Sequence, residues 1–317
     1  MRLPLRSASW LAPAPPLVAI EIASRRLTVV ALEPNAPIVT AYASEPLPEG
    51  AVVPSPAGIN IAQADLVIAT LQRALEHAGL GGTKRAALVV PDSVARVSLL
   101  HFDQAPARAQ ELDQLVRWQL KKATPYPLEE ALITHAQSLT DATGLSVAAV
   151  VARRDVITQY EAVAAAVGIH TGVVDLASID VMNAIVAAGA SVPGDWLLVH
   201  LAHEATTMAI LRGGTLMFYR HRTAVDEETL SALVHQTAMY HEDRLGGRAF
   251  ERVWLCGAGG AADEARWQIS SRLGVPVESV DVRPAADLRD RSAATPEVLD
   301  ALAAPVGLLI RERRAAA

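Results

Sequence analysis

Apolar residues in the first third of the chain fall into three short runs. The runs follow a proline-rich start and cover residues 17–22, 27–32 and 37–43. Only four residues, 23–26, join the first run to the second. Runs of this length and spacing predict three strands in meander order.

A helical pattern follows the three runs. Apolar residues recur every three or four positions from Ile61 to Leu75, with Asn60 before them and Gly79 after them. This spacing predicts an amphipathic helix with Asn60 as its N-cap and Gly79 as its end.

From residue 84 the pattern changes to a compact mixture of short strands and one helix. The strands are predicted at residues 85–90, 94–100, 131–139 and 145–152, and the helix at 107–122. We interpret residues 84–150 as a small α+β subdomain inserted into a larger unit. A further helix, predicted at 155–167 and ended by Gly168, returns the chain to that unit.

A second series of elements begins near residue 193. Strands are predicted at 196–202, 206–211, 216–221 and 252–256, and helices at 226–245, 263–273 and from 296 onward. Thr295 and Pro296 are residue types that favour the N-cap and the first helical position.

The hairpin formed by the first two strands occurs twice. Residues 19–32 (AIEIASRRLTVVAL) and 198–211 (LVHLAHEATTMAIL) align without gaps, which places Glu21 opposite His200. One copy opens each half of the chain. Two such hairpins facing one another, with a glycine-rich turn at 257–260, resemble the nucleotide clamps of the actin, Hsp70 and sugar-kinase superfamily. This resemblance implies an α/β, actin-like (ribonuclease H-like) two-lobed fold.

Composition and charge exclude several functional classes. The 317 residues, 51% of them hydrophobic, are enough for two domains, yet no uncharged run reaches the ~18 residues of a spanning helix. The net charge of −6 argues against a general nucleic-acid surface. The single cysteine, Cys256, ends an apolar run and is predicted to be a buried thiol. We expect a cytoplasmic protein without a transmembrane segment of its own.

One segment is more distinctive than the rest. Residues 117–130 (RWQLKKATPYPLEE) place a tryptophan on an amphipathic helix that ends at a Pro-Tyr-Pro turn before a strand. This block resembles the signature of the PilM family, the actin-like cytoplasmic proteins of type IV pilus assembly. Residues 168–184 and 303–308 are similar to other parts of the same family, and the similarity extends over about residues 17–312.

The resemblance implies a domain layout and a partner. The layout is a flexible Pro-rich tail at 1–16, a first lobe at 17–83 and 151–192, an inserted α+β subdomain at 84–150, and a second lobe at 193–317 whose last helix returns to the first. The implied partner is the N-terminal cytoplasmic peptide of a PilN-like inner-membrane protein, together with other pilus platform and motor proteins. The implied location is the inner face of the inner membrane, where the protein is peripheral.

The signature block also supplies candidate partner-binding residues. They are Trp118, Pro125, Tyr126 and Pro127, because an exposed aromatic beside a rigid proline turn is a low-entropy anchor for a peptide. Alternatively, Trp118 packs on the inserted sheet and the prolines only fix the turn. We expect the peptide groove between the first lobe and the inserted subdomain.

The nucleotide motifs of the superfamily are altered in this chain. There each hairpin carries an Asp-x-Gly core, in which Asp positions the water of a metal ion and Gly admits phosphates. The corresponding positions here, with those of the glycine turn, are Glu21, Ala23, Ser24, Thr28, His200, Ala202, Thr206, Thr207, Gly257, Gly259 and Gly260. An imidazole is a poor ligand for a hard cation, and an alanine Cβ intrudes where glycine is needed.

We therefore expect a scaffold that lacks catalytic residues, ATP hydrolysis and bound metal. Two alternatives remain. One is an ATP-binding switch of the same platform that uses Glu21 and the glycine turn with Mg²⁺. The other is the cytoplasmic actin-like component of a type II secretion platform.

Other groups of residues do not predict an enzyme. His200 and His203 are three apart at a strand end, which points their side chains to opposite faces. Asp175, five residues before Asp180, is interpreted as the cap of the following helix. No Gly-x-Ser-x-Gly, Walker-type or HExxH motif occurs.

Overall fold

The computed structural model describes residues 14–104, 106, 108–141, 144–189, 193–223, 228–289 and 295–316. Most of the predicted Pro-rich tail lies outside the described residues. The strands are β1 (Val18–Ile22), β2 (Arg26–Leu32), β3 (Ile38–Pro46), β4 (Arg85–Val90), β5 (Ala95–Phe102), β6 (Ala131–Asp141), β7 (Gly144–Arg153), β8 (His170–Leu176), β9 (Asp195–Leu201), β10 (Ala205–Arg212), β11 (Thr215–Thr223), β12 (Arg252–Cys256), β13 (Val277–Ser279) and β14 (Asp287–Leu288). The helices are α1 (Ala64–His77), α2 (Ala109–Lys121), α3 (Arg154–Ala166), α4 (Ala177–Ala187), α5 (Leu230–Leu245), α6 (Ala262–Leu273) and α7 (Pro296–Ala316).

The first lobe is built on a six-stranded sheet in the order β14-β3-β2-β1-β4-β8. β1, β2 and β3 form the predicted antiparallel meander, and β4 and β8 extend the sheet parallel to β1. Both faces of the sheet are covered, because α1 and α3 pack on one face and α4 and α7 on the other. A sheet buried on both faces explains why its central strands are almost wholly apolar.

The second lobe repeats this plan with the sheet order β11-β10-β9-β12-β13. β9, β10 and β11 form the meander, and β12 and β13 continue it in parallel. The two hairpin copies have the same register, since Glu21 pairs with Thr28 in the first and His200 with Thr207 in the second. The predicted two-lobed, actin-like α/β fold is confirmed.

The inserted subdomain is a three-stranded sheet, β5-β7-β6, with α2 packed on one face. Its predicted start at residue 84 is wrong, because β4 lies in the first-lobe sheet between β1 and β8. The inserted unit therefore runs from β5 to the end of β7. A short strand such as β4, which is apolar in all but its first residue, does not reveal by its pattern which sheet it joins.

The predicted N-cap of the first helix is also wrong. α1 begins at Ala64, and Asn60 is buried in the loop before it. The side-chain oxygen of Asn60 accepts hydrogen bonds from the backbone N–H of Ser55 at 2.9 Å and from the hydroxyl of Tyr160 at 3.1 Å. Asn60 thus fixes the loop to α3 rather than capping α1.

The last helix, α7, begins at the predicted Pro296 and packs along α4 of the first lobe. Apolar residues of both helices share one core with residues of the two large sheets. Cys256, at the end of β12, lies in this core and is 3% exposed, as predicted for a buried thiol. Among the described residues, no helix combines the length and apolarity needed to cross a bilayer.

Gly307 permits the close approach of α4 and α7. A Cβ at this position would overlap the carbonyl oxygen of Asp180 and lie 3.0 Å from the backbone nitrogen of Ala184. Both contacts are to backbone atoms of α4, which cannot move aside as a flexible side chain can.

Overpacking usually costs about 1–3 kcal/mol, and the higher helix propensity of alanine returns about 1 kcal/mol. Because the added Cβ would meet backbone atoms, we expect the upper end of that cost and predict that Gly307→Ala lowers the free energy of unfolding by about 2 kcal/mol net. Urea denaturation measures the difference. Gly81→Ala is the matched control, because nothing lies within 4 Å of the added Cβ. Equal stability changes at the two positions would contradict the proposed role of the α4–α7 contact.

Candidate functional site

The turns of the two hairpins face each other across a cleft of about 530 Å³ between the lobes. The predicted nucleotide-motif positions that line it are Glu21, Ala23, Ser24, His200, Ala202 and Gly257. The structure thus brings together residues that are almost 180 positions apart in the sequence, because each hairpin opens one lobe.

The other predicted positions lie around this cleft. Thr28 and Thr207 are buried at equivalent positions of the two hairpins. Thr206 precedes Thr207 on β10, so the side chain of Thr206 points to the opposite face of the strand. Gly259 and Gly260 line an adjoining cavity of about 290 Å³.

Arg26 brings a positive charge into the cleft. Its Nη2 atom lies 3.3 Å from Oε2 of the buried Glu21, and its Nη1 atom lies 3.9 Å from Oδ2 of Asp300 on α7. Asp300 also accepts the backbone N–H of Gly257 at 2.6 Å. Glu21 and the backbone N–H of Gly257 are therefore both bound by other groups of the protein.

A buried carboxylate that the sequence analysis missed joins the two lobes. Asp92 stands two residues after β4, and its Oδ1 accepts the backbone N–H and the hydroxyl of Ser178 at 3.0 and 2.9 Å. Its Oδ2 accepts hydrogen bonds from Oγ1 of Thr207 at 2.7 Å and from Nδ1 of His200 at 3.3 Å. Because Ser178 belongs to the first lobe and the other two residues to the second, Asp92 connects both lobes.

A second layer of donors surrounds Asp92. The Ser178 and Thr207 hydroxyls give their protons to the carboxylate, so each must accept from its other neighbour. These neighbours are the hydroxyl of Tyr219, 2.9 Å from Oγ of Ser178, and Nδ1 of His221, 2.9 Å from Oγ1 of Thr207. The protons of the network are thus directed inward, toward the negative charge.

Charge and hydrogen bonding outweigh desolvation at the Asp92–His200 pair. Burial raises the pKa of Asp92, but the hydrogen bond and charge of His200, the charge of His221 and the N–H of Ser178 lower the pKa to about 2. Burial likewise lowers the pKa of His200, yet the hydrogen bond and charge of Asp92 raise this pKa above its ordinary value. Both shifts favour the charged forms.

A further bond crosses the mouth of the cleft. The hydroxyl of Ser24, in the first hairpin turn, donates to Oε2 of Glu204 in the second turn at 2.5 Å. Within the described ranges, no three His, Cys, Asp or Glu side chains are grouped so that they could hold a metal ion.

A second candidate site is a groove of about 270 Å³ between the first lobe and the inserted subdomain. It is mainly apolar, and its lining residues include Leu132, Ile133, Val150, Ile157 and Val174. Two acids, Glu161 and Asp175, also line it. We refer to this cavity as the lobe–insert groove.

Asp175 does not have the predicted role of a helix cap. The N-cap position of α4 is Leu176, one residue later, and it makes no side-chain capping bond. Asp175 instead forms an ion pair with Arg311 of α7. Asp180 is fully buried beside the same arginine, and its pKa is raised well above the ordinary value, chiefly by burial.

Comparison with known proteins identifies the family. The family model described as type IV pilus assembly protein PilM matches residues 19–243. The chain belongs to the PilM family. A solved structure described as the PilM-PilN type IV pilus biogenesis complex has a TM-score of 0.81 and 17% identity, over 95% of this chain and 99% of that chain.

A solved structure from a secretion system is less similar to this PilM-family chain. The cytoplasmic domain of EpsL, an inner-membrane component of the type II secretion system of Vibrio cholerae, has a TM-score of 0.48 and 9% identity, over 94% of each chain. This score is too low to support the type II secretion alternative. A search of curated protein sequences finds no match.

The four candidate partner-binding residues of the PilM signature block do not line one common site. Trp118 is 59% exposed on α2, and Nζ of Lys122 lies 3.6 Å from its ring centroid. The alternative that Trp118 packs on the inserted sheet is therefore wrong. Pro125 and Tyr126 line a fourth cavity, between the inserted subdomain and the second lobe, and Pro127 is exposed. None of the four is among the residues that line the lobe–insert groove.

The His200–Asp92 pair should make the stability of this PilM-family protein depend on pH. The folded pKa of His200 is raised, so its stabilising contribution is complete below about pH 6.5 and is lost as pH rises through the folded pKa. We predict that in His200→Gln the free energy of unfolding lacks this part of its decline with rising pH. The missing slope is at most about 1.4 kcal/mol per pH unit, the limit for one proton.

Urea denaturation at several pH values between about 6 and about 9 measures this slope. His203→Gln is the matched control, because His203 lines the same cleft, and its slope should equal that of the wild type. If His200→Gln keeps the wild-type slope, the pair does not couple proton binding to folding.

Proposed function

We propose that this protein is a cytoplasmic, actin-like scaffold of the type IV pilus inner-membrane platform. It binds the N-terminal cytoplasmic peptide of a PilN-like membrane protein and does not hydrolyse ATP. The observation that carries the proposal is membership of the PilM family over residues 19–243. Binding to that peptide places the protein at the inner face of the inner membrane, where other platform and motor proteins can reach it.

The lobe–insert groove is the proposed peptide site. β8 is the end strand of the first-lobe sheet and β6 is an end strand of the inserted sheet. Three consecutive residues of each strand line the groove, at 174–176 and 132–134. End strands present backbone groups to which an extended peptide can add by hydrogen bonding. The apolar lining suits apolar peptide side chains, and Glu161 suits a basic residue at the rim.

The interlobe cleft supports the proposal that ATP hydrolysis is absent. A nucleotide triphosphate with Mg²⁺ needs carboxylates free to hold the ion and backbone N–H groups free to hold phosphates. Here Glu21 pairs with Arg26, and the Gly257 N–H is bonded to Asp300. Arg26 and His200 thus contact the carboxylates of Glu21 and Asp92, which an ion would need free.

The glycine turn has a structural explanation that needs no nucleotide. Gly257 has φ +82, in the left-handed region, and a Cβ there would overlap the carbonyl oxygen of Leu201. Glycine is therefore required by the turn after β12, whatever the cleft binds.

The peptide prediction can be tested by calorimetric titration of the purified protein with the N-terminal peptide of a neighbouring PilN-like protein. We expect saturable binding that Leu132→Ala weakens about tenfold, because the truncation removes apolar contact area from the groove. Leu99→Ala is the matched control. Leu99 lies on β5 of the same subdomain, is 37% exposed and does not line the groove. No binding to the folded wild type would refute the proposal. Equal losses of affinity in the two variants would show that the peptide does not bind in the lobe–insert groove.

The nucleotide prediction is that Mg-ATP leaves the melting temperature unchanged. A ligand at a hundred times its Kd stabilises a protein by about 2.7 kcal/mol, so real binding would be seen in a thermal-shift measurement. A saturable rise that Gly260→Asp abolishes would favour the ATP-switch alternative instead. Gly260 is suited to this control because nothing lies within 4 Å of an added Cβ.

A further inference from the structure

The cavity beside the Pro-Tyr-Pro turn is separate from the interlobe cleft and shares only Ala95 with the lining of the proposed peptide groove. It has a volume of about 560 Å³ and lies between the inserted subdomain and the second lobe. Arg96 borders it on one side and Arg220 and Arg222 on the other, with the ring of Tyr126 between them in the lining. We refer to this cavity as the arginine cleft.

The two long walls of the arginine cleft are strand edges. Residues 95–97 of β5 and residues 219–223 of β11 line it consecutively, as they do when a strand presents its edge rather than its face. β5 is an end strand of the inserted sheet, and β11 is an end strand of the second-lobe sheet. Five residues of a strand extend over roughly 17 Å, so the cleft is a slot suited to an extended chain.

The charge of the arginine cleft is of one sign. No Asp or Glu is among its lining residues in the described part of the chain. Arg96 donates to the carbonyl oxygen of Ala123 at 2.9 Å, and Arg220 donates to the amide oxygen of Gln236 at 2.9 Å. Nε of Arg222 lies 3.4 Å from Oε2 of Glu228, a residue that does not line the cleft. Three guanidinium groups therefore border a slot in a protein whose net charge is −6.

Glu228 does not fully offset the positive charge around Arg220. Burial and then the neighbouring Arg222 lower the pKa of Arg220, and Glu228 opposes this only in part. An anion in the slot would relieve the repulsion between the two arginines.

The strand geometry sets the spacing of the two charges. Arg220 and Arg222 are two residues apart on β11, so they share one face of the strand, about 7 Å apart along it. His221, between them, points to the opposite face, where it bonds Thr207 and Ser93. A peptide that adds to an edge as a strand has the same period of two. Carboxylates at alternate peptide positions would therefore meet both arginines.

We propose that the arginine cleft binds an extended acidic peptide of a protein partner, which adds as a strand to the edge of β11 and pairs alternate carboxylates with Arg220 and Arg222. Arg96, on the opposite wall, holds the same peptide to the inserted subdomain. Small anions are too short to fill this slot. Neither they nor anionic lipids carry the backbone N–H and C=O groups that pair with a strand edge. The proposal does not rest on the PilN-like partner, because none of the three arginines lines the lobe–insert groove.

The test uses the full chain and a fluorescein-labelled peptide in which glutamate and valine alternate. Fluorescence anisotropy should show saturable binding that weakens with added salt. Arg220→Gln/Arg222→Gln should weaken it about tenfold. Arg244→Gln/Arg272→Gln, which removes two exposed arginines elsewhere on the second lobe, should leave it unchanged.

Two control peptides test the proposed geometry. A peptide with the same composition but with its glutamates adjacent should bind more weakly, because its carboxylates do not share one face. Replacing each valine by proline should abolish binding, because proline removes the backbone donor that strand addition requires. Equal binding of all three peptides, or equal loss in both arginine variants, would overturn the proposal. So would competition by inorganic phosphate or by phosphatidylglycerol vesicles at similar charge concentration.

Discussion

The buried carboxylate of Asp92 holds the molecule together at the point where its three parts meet. The chain leaves the first-lobe sheet at β4, passes through Asp92 and enters the inserted subdomain at β5. Four hydrogen bonds reach the carboxylate, two from Ser178 at the start of α4 and two from the second-lobe hairpin. A buried charge is tolerated only where such donors satisfy it, so the relative position of the two lobes is tied to this network.

The same network explains why the altered hairpin positions are compatible with a stable fold. An Asp at position 200 would face Asp92 at short range, and two carboxylates in a buried site repel each other. A histidine there supplies the opposite charge and a donor at once. In the first hairpin the altered position is an acid, Glu21, and Arg26 pairs with it. Each altered position, Glu21 or His200, is thus bound by an ionisable side chain of the protein itself.

The sequence was sufficient for most of the elements and for the duplication, but not for the short strands β13 and β14 or for the contacts between lobes. The hairpin repeat could be found because strand alternation and turn residues are local, and the common register of Glu21–Thr28 and His200–Thr207 follows from it. Asp92 could not be found in this way, because its partners lie 86 to 115 positions away. The one available signal was an acid two residues after the buried apolar run at 86–90. The misplaced boundary at β4 and the misassigned Asn60 have the same cause, since both depend on which distant residues the segment meets.

The inserted subdomain forms part of both the lobe–insert groove and the arginine cleft. Ala95, at the start of β5, lines both cavities, and successive residues of β7 alternate between them, with Val151 facing one and Val150 and Ala152 the other. This division follows from the period of two in a strand. A ligand in either cavity therefore contacts the base of the same small sheet, three residues from Asp92. A displacement of that sheet that widened one cavity would therefore also move the wall of the other.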